Sequence, residues 1–276
     1  MRNHLTWKLA PLFAVAVLAP AQWLDYPTAG VPKTSDGKPN LKAPAPRTAN
    51  GKPDFSGMWG WETRDNCLGH CNDFQTSREF INIAASLKTP LPYQPWAAEI
   101  VKKRRVEQGL DPNVHCMPRD APRIWTDDYY KRIIMAPDRM VILTERNMQY
   151  RQIFMDGRPL PNDPNPTWNG YSTAKWDGDT LVVDTIGFRD ELWLDAFGNP
   201  LTDQAKMTER IRRPNFGTLE IEITINDPKA YTAPFTVKLT EPLILDSELL
   251  DYYCLENERD STHMRQQAPI GGAGVP

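Results

Sequence analysis

Apolar and polar positions alternate strictly along Leu219-Glu220-Ile221-Glu222-Ile223-Thr224-Ile225 and again along Phe235-Thr236-Val237-Lys238-Leu239-Thr240. A period of two puts successive side chains on opposite faces, so each segment predicts a strand with one buried and one wetted face. Less regular alternation predicts further strands over 132–135, 139–145, 150–155, 171–176, 180–186 and 207–213. Between two of them stands Asp177-Gly178, the pair favoured in two-residue hairpins because both central residues of such a turn need positive φ. Half-exposed strands joined by hairpins pair antiparallel. The chain therefore reads as mainly β, an antiparallel barrel or a strongly curved sheet with one or two peripheral helices.

Matching apolar faces sets the register of one hairpin. Ile211 must lie across from Leu219 or Ile221, which demands an odd loop, most simply centred on Phe216 with Gly217 at positive φ. With Ile211 opposite Ile221, Arg212 faces Glu220 and Arg210 faces Glu222 on the wet side, where opposite charges attract across strands. The same register carries Glu209 to the inner face beside Ile223, an unusual place for a carboxylate.

Helical spacing is clearest from Pro95, which suits a first helical position, through Trp96, Ile100 and Val101 to a stop at Gly109. The basic run Lys102 to Arg105 falls in its last turns, where cations face the negative end of the helix dipole, and reads as a solvated face. A shorter helical turn is predicted over 78–87. Residues 22–53 are rich in Pro, Gly, Lys and Ala and nearly repeat themselves in Asp36-Gly37-Lys38-Pro39-Asn40-Leu41 and Asn50-Gly51-Lys52-Pro53-Asp54-Phe55. So little apolar surface predicts an extended leader that leans on the domain in places. A single β-rich domain then spans 54–265, and the Gly-rich residues 266–276 form a disordered tail.

The first residues refine this picture. Arg2 and Lys8 precede an apolar run that ends in Ala19-Pro20-Ala21, the layout of a secretory signal covering 1–21 and cleaved after Ala21. The run is too short to span a bilayer, and the chain is expected to be exported to the periplasm or beyond, with no membrane span. In an oxidising compartment Cys67, Cys71, Cys116 and Cys254 read as disulfides; of the three pairings open to four cysteines, Cys67 with Cys71 and Cys116 with Cys254 is the one expected here. With 32 Lys and Arg against 35 Asp and Glu, the chain lacks the clustered basic surface that nucleic acid requires. Nine Trp and 26 Pro suit a bulky core or an aromatic-lined pocket among short strands and rigid loops.

Candidate chemistry is sparse. Cys67-Leu68-Gly69-His70-Cys71 has the wrong order for a haem attachment site and lacks a fourth zinc ligand, so no metal is expected. No nucleophile elbow, phosphate-binding loop or dinucleotide fingerprint is present, and no cofactor is called for. Once the signal is lost, His70, His115 and His263 are the histidines left for proton transfer near neutral pH.

Gly57-Met58-Trp59 on a first strand resembles the signature of lipocalins and related calycin barrels. That resemblance implies a lipocalin-like barrel in which the Trp plugs the closed end and an Arg near the last strand stacks on it. A second stretch runs through Asp156-Gly157-Arg158-Pro159-Leu160-Pro161, Asp163-Pro164, Pro166-Thr167-Trp168, Gly170-Tyr171-Ser172 and Trp176-Asp177-Gly178-Asp179-Thr180-Leu181-Val182-Val183. With Cys116-Met117-Pro118, Pro122-Arg123 and Glu256-Asn257-Glu258 it resembles a family of uncharacterised exported bacterial β-rich proteins, which implies a shared secreted β-rich fold and brings no established activity with it. On its own residues the stretch reads either as a Pro-stiffened crossover loop or, through Asp156, Arg158 and Trp168, as the mouth of a site.

Two functions follow from an enclosed sheet. One is a lipocalin-like binding protein whose interior takes a small, largely apolar ligand by removing its surface from water. The other is a cofactor-independent isomerase, hydratase or lyase in the same cavity. In it Glu209, raised in pKa by apolar neighbours, serves as base, Asp184 and Glu145 join it, Arg151 or Arg158 holds an anionic substrate, and His263 serves as acid. The plain alternative to that enzyme is a buried structural ion pair. A third reading is a surface interaction module with the leader as tether.

Overall fold

The computed structural model describes residues 27–60, 78–119, 121–126 and 129–254. The signal sequence, Cys67, Cys71, His70, His263, Glu256-Asn257-Glu258 and the tail lie outside the described residues. Strands β1 (Gly57–Trp59), β2 (Lys131–Met135), β3 (Arg139–Thr144), β4 (Tyr150–Phe154), β5 (Tyr171–Asp177) and β6 (Thr180–Ile186) lead to a two-stranded flap of β7 (Leu192–Trp193) and β8 (Pro200–Leu201). Three long strands follow: β9 (Lys206–Asn215), β10 (Thr218–Asn226) and β11 (Phe235–Pro242). Every strand expected from alternation is present.

Nine strands form one sheet in the order β1-β2-β3-β4-β5-β6-β9-β10-β11. Neighbours pair antiparallel except β4 and β5, which run parallel through Ile153 opposite Ser172 and Phe154 opposite Thr173. The Pro-rich stretch 155–170 makes the crossover that a parallel pair needs. The two edges then meet. Trp59 bridges Leu243, the Gly60 amide donates to the Pro242 carbonyl at 3.1 Å, and the Ile244 amide donates to the Met58 carbonyl at 2.9 Å. The sheet thus nearly closes into a barrel, which removes the exposed edges that a half-buried sheet would otherwise offer to other chains.

The β9–β10 hairpin has the register expected from facial matching, with Ile211 opposite Ile221, Arg212 opposite Glu220, Arg210 opposite Glu222 and Glu209 opposite Ile223. Its turn differs. Phe216 and Gly217 form a two-residue turn between paired Asn215 and Thr218, and a bulge between Thr218 and Glu220 supplies the parity assigned above to an odd loop. Gly217 is not at positive φ; a Cβ there would lie 2.5 Å from Cβ of Leu41, so this glycine admits the leader. On the wet face Arg212 holds Glu220 at 2.7 Å, while Arg210 turns to Asp177 at 2.9 Å and leaves Glu222 to Lys238 at 2.9 Å.

Among the described residues, three helices lie outside the sheet: α1 (Arg78–Ile81), α2 (Pro95–Val106) and α3 (Arg123–Thr126). Helix α2 begins at Pro95 as expected and ends short of Gly109, with a 3-10 turn over Gln108–Leu110. Its basic run is not wholly solvated. Arg104 is buried, with its guanidinium 4.6 Å from the Trp193 ring and bonded to the Gly198 carbonyl at 3.1 Å, whereas Lys102, Lys103 and Arg105 face outward.

From residue 27 onward the leader is more ordered than a tether. Its two near-repeats fold alike: the Thr34 amide donates to Lys38 O and the Thr48 amide to Lys52 O, both at 2.8 Å, while Gly37 and Gly51 take φ of 82° and 80°. The second turn docks on the barrel. Arg47 forks onto both oxygens of Asp179 at 3.0 and 2.6 Å, and Lys52 Nζ donates to Gly178 O at 2.9 Å. Between the turns, Ala43 joins the hydrophobic core and accepts from the Phe216 amide at 2.8 Å. The expected Cys116–Cys254 disulfide is present and closes a separation of 138 residues. No helix among the described residues is long and apolar enough to cross a membrane.

Candidate functional site

Inward residues of β4, β5, β6 and β9 build a polar cluster inside the barrel. Arg151 Nη1 and Nη2 donate to the two oxygens of Glu209 at 2.8 and 2.5 Å. Nη2 also reaches Ser172 Oγ at 3.1 Å and Thr185 Oγ1 at 3.0 Å. From α3, outside the sheet, the Trp125 indole N–H enters the barrel and donates to Glu209 Oε1 at 2.5 Å. Glu209 is 0% and Arg151 1% exposed. A carboxylate taken out of water is tolerable only when a cation and hydrogen bonds replace its hydration, and here both oxygens are so engaged. Within this pair, Arg151 Nε is left buried without a partner.

The expected acid-base set does not assemble around this pair. Asp184 points outward and accepts from Thr208 Oγ1 at 2.7 Å, because Val183, not Asp184, is the β6 neighbour of Glu209. Glu145 sits just past β3, accepts amides of Leu250 at 3.1 Å and Tyr130 at 3.4 Å, and is pushed above the usual carboxylate range by burial. Arg158 pairs with Asp156 at 2.6 Å on the crossover, over the Phe154 ring at 4.0 Å, and this pairing holds Asp156 below its ordinary pKa. Trp168 packs against the core with the Arg189 guanidinium 5.1 Å from its ring. His115 lies near the disulfide with Nε2 2.8 Å from the Gly109 carbonyl.

Further buried charged groups escaped the sequence reading, Lys131, Glu241 and Asp195 among them. Lys131 Nζ lies 2.9 Å from each oxygen of Glu241, with both side chains inside the barrel. The signal was available, since Lys131 shares parity with Ile133 and Glu241 with Leu239 and Val237. Asp195, in the β7–β8 flap, accepts the Ile83 amide at 2.7 Å, the Asn199 amide at 3.1 Å and the Asn199 side-chain amide. Complete burial pushes its pKa up to about 6, against the lowering effect of those bonds.

One end of the barrel is plugged by the first strand. The Trp59 indole donates to the Phe55 carbonyl at 2.9 Å, and the Arg213 guanidinium, from β9, lies 4.9 Å from the Trp59 ring. Gly57 has no room for a side chain, as a Cβ would meet Leu243 at 2.8 Å. Arg213 Nη1 donates to Asp54 O at 2.6 Å and Ser56 O at 3.2 Å, while Nη2 and Nε converge on Phe216 O at 2.6 and 3.2 Å. Beside this plug, where the second leader turn crosses the ends of β6 and β9, lies a groove of about 420 Å³. Pro44, Pro53 and Pro214 wall it, together with Ala45, Thr180, Arg47, Asp179, Arg212 and Arg213. Its volume falls within the range of small-molecule sites. Among the described residues, no cluster of three or more His, Cys, Asp or Glu side chains could hold a metal ion.

Comparison of the chain with protein-family models, curated protein sequences and solved structures finds no match in any of the three.

Proposed function

We propose that the protein is an exported binding protein whose barrel holds a small, largely apolar ligand in the groove beside the Trp59 plug. The observation that carries this reading is the contrast between that groove and the barrel interior. Trp59, Trp125, Arg151, Lys131, Ile142 and Ile153 are among the largest fully buried side chains and take up space inside the sheet, whereas the groove stays open to solvent, its walls shared between three prolines and the charged side chains of Arg47, Asp179, Arg212 and Arg213. Proline rings offer rigid apolar surface that loses no side-chain freedom on contact, which suits a preformed site. Export is supported by the layout of residues 1–21 and by a disulfide, which persists in oxidising compartments. The acid-base enzyme gains no support from this geometry, since Glu209 is sealed and Asp184 faces the other way.

The test is to purify the protein from its native host, release any copurified small molecule and identify it by mass spectrometry. Ala45→Trp, which fills the groove from its wall, should lose that molecule while keeping the fold. Retention of the same molecule by Ala45→Trp would overturn the placement.

A further inference from the structure

We propose that the ligand of this groove is a small monocarboxylate, its apolar body against the prolines and its carboxylate on Arg212. This rests on the reading that the groove holds a ligand, and adds the chemical class. Arg213 lies behind the groove. Its side chain is almost entirely buried at the groove floor, and all four of its hydrogen bonds go to backbone carbonyls of Asp54, Ser56 and Phe216. No carboxylate among the described residues pairs with it. Its other neighbours are the Trp59 and Phe216 rings, at 4.9 and 5.3 Å from the guanidinium carbon. Three other buried cations carry ion pairs, Arg151 with Glu209, Lys131 with Glu241 and Arg123 with Asp111, whereas Arg104, like Arg213, rests on a backbone carbonyl and an aromatic ring. Burial draws Arg213 down to a pKa of about 10, opposed mainly by the Asp54 charge. A positive charge therefore stands behind the groove, attenuated by backbone dipoles and by the Asp54 charge, with no ion pair to it among the described residues.

The other charged walls decide where an anion would sit. Arg47 is occupied, with Nη1 on Gly51 O and Asp179 and Nη2 on Asp179, so it frames the groove. That same contact takes up Asp179, the carboxylate of the lining. Arg212 has its side chain 56% exposed and commits one nitrogen, Nη2, to Glu220 at 2.7 Å. Its remaining donors present the planar fork that suits a carboxylate, and the charge of Arg213 behind it strengthens the attraction. Three prolines in the same wall ask for an apolar body on that head group.

The test titrates the full chain, at low ionic strength, with three acids and their amides: hydrocinnamate, octanoate and indole-3-acetate, each by calorimetry. At least one acid should bind one site per chain, with its amide weaker by tenfold or more. Arg212→Ala should weaken that acid about tenfold and leave the amide unchanged, with an unaltered circular dichroism spectrum as the fold control. Arg212→Lys should recover part of the loss, since charge remains and the fork does not. Acid and amide binding alike, with no effect of Arg212→Ala but loss in Ala45→Trp, would overturn the carboxylate and leave the groove reading standing. Failure of every acid and amide to bind would overturn both.

Discussion

Arg151 and Glu209 meet inside the barrel from strands separated by two others, β5 and β6, and close a two-pronged ion pair at 2.8 and 2.5 Å. Arg151→Ala would strand the Glu209 carboxylate in a site sealed from water, a loss of about 3–5 kcal/mol for a buried pair broken on one side. Replacing both, as in Arg151→Met with Glu209→Leu, removes the desolvation penalty along with the attraction and should cost less than the single change. Urea unfolding of the three proteins checks this; a double variant weaker than either single would contradict it.

The Cys116–Cys254 bond ties the loop after α2 to the end of the described chain across 138 residues. On the chain-entropy account, cross-linking so long a loop stabilises by about 4–5 kcal/mol, chiefly by restricting the unfolded state. A Cys116→Ser, Cys254→Ser variant should lose most of that in denaturant unfolding, with the sheet signature preserved at low denaturant. An unchanged midpoint would contradict a structural role for this bond.

How far the fold was legible follows from which faces differ in polarity. β10 alternates cleanly, so its register against β9 and the inward placing of Glu209 could be read directly, while the turn joining them could not. Along β6 both parities carry apolar residues, Leu181 and Val183 on one and Val182 and Ile186 on the other, so alternation could not tell that Asp184 faces water. The Arg213–Trp59 contact has the form that the Gly57-Met58-Trp59 resemblance implies, but the arginine comes from β9, two strands before the last in the sheet. Trp125 reaches Glu209 from a four-residue helix with no periodicity to read, and the groove is assembled from the leader, β6 and β9, which only tertiary packing brings together.

Asp195 gives a pH signature. Its folded pKa of about 6 lies above the ordinary value of 3.8, so between those values the folded state binds more protons than the unfolded one. Stability must then fall as pH rises from about 4 to about 6 and level off above, by about 3 kcal/mol at most for a shift of this size. Asp195→Asn should flatten that segment of the curve, measured by urea unfolding at closely spaced pH. A wild-type profile that rises through the same window with the Asn variant parallel to it would contradict the assignment.

The central claim is that side chains fill the inside of the barrel and that binding occurs outside, beside the Trp59 plug. Amide chemical-shift mapping during titration with hydrocinnamate tests it most directly. The account predicts shifts at Ala45, Thr180 and Arg212, with Ile142, Ile153 and Val183 unmoved. Shifts centred on Ile142, Ile153 and Val183, with the groove residues silent, would contradict it.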